Sequence, residues 1–173
     1  AWQVWEALPK ILRETTKGKE STENRVLFAL LGGDQVYADR VEKSLLKTSD
    51  LAGRNKLYLE IYKQYWSNLS YRKILCSTPS YLMWDDHDIT DGWGSREDSF
   101  KKPDSVEFKD NWTSLFASAK QAFASMQASR NPAPLTDKGF DSAFIVGRAG
   151  YVLADLRSNR NVHKKQLWLP EQF

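Results

Sequence analysis

An α/β fold centred on a sheet is what this 173-residue sequence predicts, and three patterns predict it. Two short apolar runs, Arg25–Leu31 (RVLFALL) and Ser80–Trp84 (SYLMW), are nearly continuous, as in strands buried on both faces. Both stop abruptly on acidic residues close to glycines. Between and after them lie long stretches whose apolar residues recur at helical spacing.

Taken in order, Ala1 to Thr15 places Trp2, Trp5, Leu8, Ile11 and Leu12 on one helical face, with Pro9 weakening the pattern. Thr16 to Asn24 is polar and reads as a surface loop. The first strand ends at Gly32-Gly33-Asp34-Gln35, where a glycine pair suits a tight turn. Val36 to Asp50 reads as loop and then helix. From Leu57 to Leu75, one long helix is expected to bury Tyr58, Ile61, Tyr62, Tyr65, Trp66, Leu69 and Ile74. Ser77-Thr78-Pro79 breaks it and leads into the second strand.

Ser95 to Asp104 is a charged loop. A second long helix, Ser105 to Ala128, carries Phe108, Trp112, Leu115, Phe116, Ala119, Phe123 and Met126 on its stripe, and Asn131-Pro132-Ala133-Pro134 ends it. Ser142–Val146 and Tyr151–Ala154 form a hairpin around Gly147 and Gly150, the latter strand running into Asp155. Gln166 to Phe173 resumes an apolar pattern.

Composition narrows the function. Lysine and arginine number 25 against 22 aspartates and glutamates, an excess too small to argue for nucleic-acid or membrane partners. No segment approaches the roughly 18 apolar residues of a membrane span. The single cysteine, Cys76, has no internal disulfide partner; it is expected to pack at a helix end, and its isolation suits a reducing, cytoplasmic setting. One domain over residues 1–173 is expected. Both ends fall within apolar patterns rather than polar tails, so the domain reads as the middle of a larger one.

The chemistry concentrates in Trp84–Gly94, WDDHDITDGWG, with four carboxylates around one imidazole. Carboxylates this dense repel one another unless a cation, a proton or basic groups offset them. Three strands ending on acids (Asp34, Asp86 and Asp155) would meet along one carboxyl edge, where α/β sheets bind ligands. Hard cations prefer such oxygens. A pair of them about 4 Å apart can hold a phosphate and activate water for in-line attack.

The motifs GGDQVYAD (Gly32–Asp39) and WDDHDITDGWG, with DLRSNR (Asp155–Arg160) behind them, resemble the alkaline phosphatase D (PhoD-like) branch of the calcineurin-type metallophosphoesterases. The resemblance implies a metallophosphoesterase-like βαβ-sandwich core, present incompletely, with long amphipathic helices. It implies hydrolysis of phosphomonoesters or diesters by a metal-bound hydroxide at a dinuclear centre. Asp34 would bridge the metals, Tyr37 would bind ferric iron, and Asp86 would ligate the second metal, with iron, manganese, zinc or calcium as candidates. His87 would contact phosphate and protonate the leaving group, Asp88 would orient that imidazole, and Asp155 and Arg157 are markers of the branch.

The family's first motif, Asp-x-His, has no counterpart in residues 1–31, and His163 lacks the Gly-His-x-His setting of the last. The residues present make a partial site, expected to be weak or inactive alone. Two other readings use the same stretch. Asp86-His87-Asp88-Ile89-Thr90 fits the Asp-x-Asp-x-Thr pattern of haloacid dehalogenase-like phosphatases, with Asp86 as nucleophile and Asp88 as acid/base. A non-catalytic, metal-stabilised binding module would need neither role.

Overall fold

A computed structural model describes residues 6–11, 26–95, 106–161 and 164–167, with the side chains of 106–111 left aside. Expectations for the Thr16–Asn24 loop, nearly all of Ser95–Asp104, the end of the chain and His163 lie outside these residues. Mixed helix and strand agrees with the α/β expectation, but helix dominates. Helix α1 covers residues 6–11. There follow β1 (Ala29–Leu31), α2 (Glu42–Lys47), α3 (Leu51–Trp66), α4 (Leu69–Ser77), β2 (Ser80–Leu82), α5 (Val106–Met126), β3 (Ser142–Val146) and β4 (Ala149–Leu153).

The two apolar runs pair in parallel, with Leu30 opposite Tyr81 and Leu31 opposite Leu82. The strands are three residues each, shorter than the runs that announced them. On the far side of β2, a side chain stands in for a strand: Leu82 N–H donates to Asn131 Oδ1 (2.8 Å), and Asn131 Nδ2 donates back to the Leu82 carbonyl (2.5 Å). The hairpin β3–β4 is antiparallel with Val146 opposite Ala149. Gly147 opens its two-residue turn at φ 62°, the conformation a type II′ connection requires there. An aromatic cluster joins the hairpin to the parallel pair: Tyr81 stacks on Phe144 at 3.8 Å, and Phe28 meets Tyr151 edge-on at 5.0 Å.

The long helix expected over Leu57–Leu75 is two helices. Asn68 interrupts it: its side chain accepts the Tyr71 N–H (3.0 Å) and so caps α4. As a result Leu69 is not on a buried stripe but is 64% exposed. Helix α3 also starts earlier than expected, because Asp50 Oδ1 accepts the Gly53 N–H at 2.6 Å. Cys76 is exposed rather than packed at the helix end. Helix α5 matches its expected span closely and packs along α3.

The core lies between these helices and the acidic stretch. Tyr58, Ile61, Tyr62, Met83, Trp84, Ile89, Leu115, Ala119 and Phe123 are buried together. Trp84 stacks on Phe123 at 4.9 Å and meets Phe140 edge-on at 5.1 Å. Its indole N–H donates to Asp155 Oδ1 (2.9 Å). Asp155, fully buried, also accepts from Phe140 N–H (2.9 Å), Ser158 N–H (2.9 Å) and Arg157 N–H (3.0 Å). Asp155 is therefore a structural hub that ties the segment after β4 to the core, not a third acid at the common edge.

Candidate metal centre

Parallel pairing of β1 and β2 brings their carboxyl ends side by side, so the Gly33–Asp34 turn and the Asp85–Asp88 turn meet. Gly33 sits at φ 127°, and a Cβ built on it would lie 2.4 Å from Asp85 Cβ. Only glycine lets the two turns approach this closely. Asp34 also adopts a left-handed conformation, φ 59°, which aspartate tolerates better than most residues.

Asp88 fastens the two turns together. Its Oδ2 accepts the N–H of Asp34 (2.7 Å) and of Asp85 (2.9 Å), and its Oδ1 accepts the N–H of Val36 (3.3 Å). Gln127 of the segment after α5 adds a fourth donor at 3.3 Å and also reaches the Tyr62 hydroxyl. Asp88 is 1% exposed, and burial pushes its carboxyl up to about 7 against the pull of those N–H groups. Tyr58, from α3, donates its hydroxyl to the Ile89 carbonyl (2.7 Å) and holds the end of the turn.

The carboxylate in contact with the His87 ring is Asp39, not the Asp88 expected beside it. His87 Nδ1 lies 2.6 Å from Asp39 Oδ2, while Asp39 Oδ1 accepts the Asp91 N–H at 2.5 Å. Asp88 points into the protein with both oxygens engaged, which also removes it as an accessible acid/base of the dehalogenase type. Burial alone would lower the His87 pKa, but the Asp39 bond and charge, with Asp34 and Asp86, raise it above the ordinary value. Tyr37 packs beside the imidazole, ring centroids 4.4 Å apart, and stacks on Tyr65 at 6.5 Å. Its pKa is raised by burial and then by the charges of Asp34 and Asp39.

Three carboxylates converge: oxygens of Asp34, Asp85 and Asp86 lie within 4.8 Å of one another, and a second group joins Asp86, His87 and Asp91. Asp34 accepts the His87 backbone N–H, yet its Oδ1 is buried with no hydrogen-bond partner among the described residues. Burial, then Asp85, raises the Asp34 pKa. Asp34 thus brings a buried, unpartnered carboxylate oxygen to a group of three acids whose oxygens a single cation could bridge, so the residues fit a metal. Asp86 is already braced. Burial would raise its pKa, but the Gly92 N–H (2.6 Å to Oδ2) and the Arg157 guanidinium (3.1 Å to Oδ1) hold it below the usual range.

Sequence reasoning thus placed Asp34, Asp86, His87 and Tyr37 in one neighbourhood but missed Asp39, Asp85 and Arg157 as participants. All three stand inside the motifs quoted for the resemblance, which was the available signal.

The family model for PhoD-like phosphatase matches residues 15–171. A search of curated proteins finds similarity to Uncharacterized protein YGR266W of Saccharomyces cerevisiae, 30% identical over 104 residues, covering 41% of this chain. The aligned part is 15% of the yeast protein's length. No solved structure matches.

Proposed function

The chain belongs to the PhoD-like phosphatase family, and we propose that it hydrolyses small-molecule phosphate esters, mono- or diesters, at a dinuclear metal centre. The observation that carries this reading is the convergence of carboxylate oxygens from Asp34, Asp85 and Asp86, with one oxygen of Asp34 buried and unpartnered among the described residues. Asp34 and Asp86 would hold the metals with Asp85 beside them, and Tyr37 would supply a phenolate if one is ferric iron; manganese, zinc and calcium suit the carboxylates equally. Metals held there would supply Lewis-acid polarisation of the phosphate and a water of lowered pKa.

The chain's own residues do the rest. Asp39 favours the protonated form of His87, and with Nδ1 committed to that carboxylate Nε2 is the nitrogen that would give a proton to the departing oxygen. Tyr37 limits the swing of the ring from one side. Asp88 takes no part in the proton transfer; it holds the two turns at a fixed separation. The remaining ligands are proposed to come from elsewhere in the protein, with residues 1–173 as the central part of one catalytic domain.

The test is hydrolysis of p-nitrophenyl phosphate and bis(p-nitrophenyl) phosphate by the full-length protein loaded in turn with manganese, iron, zinc or calcium. Turnover that depends on metal and falls at least ~100-fold in His87→Ala, with the circular dichroism unchanged, supports the reading. Metal-independent turnover, or none with any metal, refutes it.

A further inference from the structure

We propose that Arg157 is the resident counter-ion of the Asp85–Asp86 pair, and that a cation enters the centre by displacing it. This rests on the metal reading above and adds a competitor built into the chain. Arg157 is delivered by a rigid mount: its own N–H is held by Asp155, and Asp155 is held by Trp84 and Phe140. Its side chain is 12% exposed.

Each nitrogen of the guanidinium is engaged. Nε donates to Asp85 Oδ1 and Nη2 to Asp86 Oδ1 at 3.1 Å. Nη1 donates to the Trp93 carbonyl at 2.8 Å and reaches Ser95 Oγ at 3.3 Å. Since the Gly92 N–H already occupies Asp86 Oδ2, each oxygen of Asp86 carries a donor. A metal held among Asp34, Asp85 and Asp86 must therefore share Asp85 and Asp86 with Arg157 or drive it off. A guanidinium cannot leave by losing its proton in the accessible pH range, so release is by competition rather than by titration.

Two consequences follow from the sign of the charge. Removing the guanidinium leaves Asp85 and Asp86 uncompensated, which lowers the stability of the metal-free protein. It also removes a positive charge in direct contact with two of the carboxylates, which tightens cation binding.

Equilibrium dialysis with manganese compares the wild type, Arg157→Gln and, as the site control, Asp34→Asn. The expected result is binding at least ~10-fold tighter in Arg157→Gln and weaker in Asp34→Asn. Equal or weaker binding in Arg157→Gln, with Asp34→Asn impaired, overturns the counter-ion role and leaves the metal centre standing. No uptake by wild type or Arg157→Gln overturns both. Should Arg157→Gln fail to fold, wild-type protein titrated with zinc still decides. Loss of solvent protection at the Arg157 Nε–H on zinc binding supports displacement, and an Nε–H unchanged at saturating zinc overturns it.

Discussion

Replacing Gly33 with alanine tests how the centre is put together, and Gly32→Ala supplies its control. The added methyl at position 33 would sit 2.4 Å from Asp85 Cβ and 3.1 Å from Asp85 N, on a backbone at φ 127°. Carbon atoms settle at about 3.5–4.0 Å, so the turns must part by more than ~1 Å. The bonds that lace them are the Asp34 and Val36 N–H groups on Asp88, at 2.7 and 3.3 Å. An opening of that size stretches them past useful length. Strain from a non-glycine residue in this region costs about 1–3 kcal/mol. Losing one bond to the buried carboxylate costs roughly 1.5–3 kcal/mol more. The sum, about 2.5–6 kcal/mol, is a large share of a typical folding free energy.

Gly32, by contrast, has nothing within 4 Å of its virtual methyl among the described residues and no positive φ. Its alanine variant should fall within ~1 kcal/mol of the wild type, on the stabilising side if the unfolded chain loses freedom. Urea denaturation followed by circular dichroism, without metal, reads both. For a chain of this size, Gly33→Ala should also melt roughly 10–20 °C lower. Equal stability of the two variants would refute the close approach of the turns, and with it the placement of Asp34 beside Asp85.

Asp39→Asn should lower the His87 pKa, which proton NMR of the metal-free protein measures directly. With the His87 pKa raised, the pair stabilises the fold fully below about pH 6.5 and loses that contribution as pH rises through the higher folded value, so Asp39→Asn flattens that limb. In the metal-loaded protein the same change should cut turnover by ~10- to 100-fold without altering metal affinity, since the imidazole loses its orientation and not its acid strength alone. Trp84→Phe removes the indole donor to Asp155 and some ring volume, and should cost about 2–4 kcal/mol in urea melts; a loss under ~0.5 kcal/mol would deny Asp155 its role as hub. Asn68→Ala should cost about 1 kcal/mol by removing the α4 cap, with the loss absent if Ser or Asp replaces it.

Helix α5 was legible because a stripe repeated over many turns averages out local exceptions. The break at Asn68 was not, because the apolar residues on either side keep step across it, and a single side-chain oxygen decides whether the chain continues or restarts. Asp34 and Asp86 could be placed together from sequence since each follows an apolar run. The Asp39–His87 pair spans 48 positions and depends on how the short turn at Ala38–Val41 rotates the carboxylate, which no periodicity encodes. Asp88 misled for a related reason. Its neighbour in sequence is the histidine, but the short helical turn at Asp86–Asp88 sends successive side chains in different directions, and the buried backbone donors of another loop claim it.

The pairing of Asn131 with Leu82 gives the small parallel sheet a direction of growth. A strand exposes hydrogen-bonding groups on both edges, and an open edge invites whatever extended chain is nearby. At Leu82 both the donor and the acceptor of that edge are satisfied by one amide, so a new strand cannot register there without first evicting it. Among the described residues no strand pairs with the other edge of β1, where Leu30 is 47% exposed. Lateral extension, whether by more of the same polypeptide or by an unwanted neighbour, is steered to one side, and the side guarded by Asn131 is the strand that runs into the acidic turn. The Asp85–Asp88 half of the centre is thereby shielded from a strand arriving beside β2.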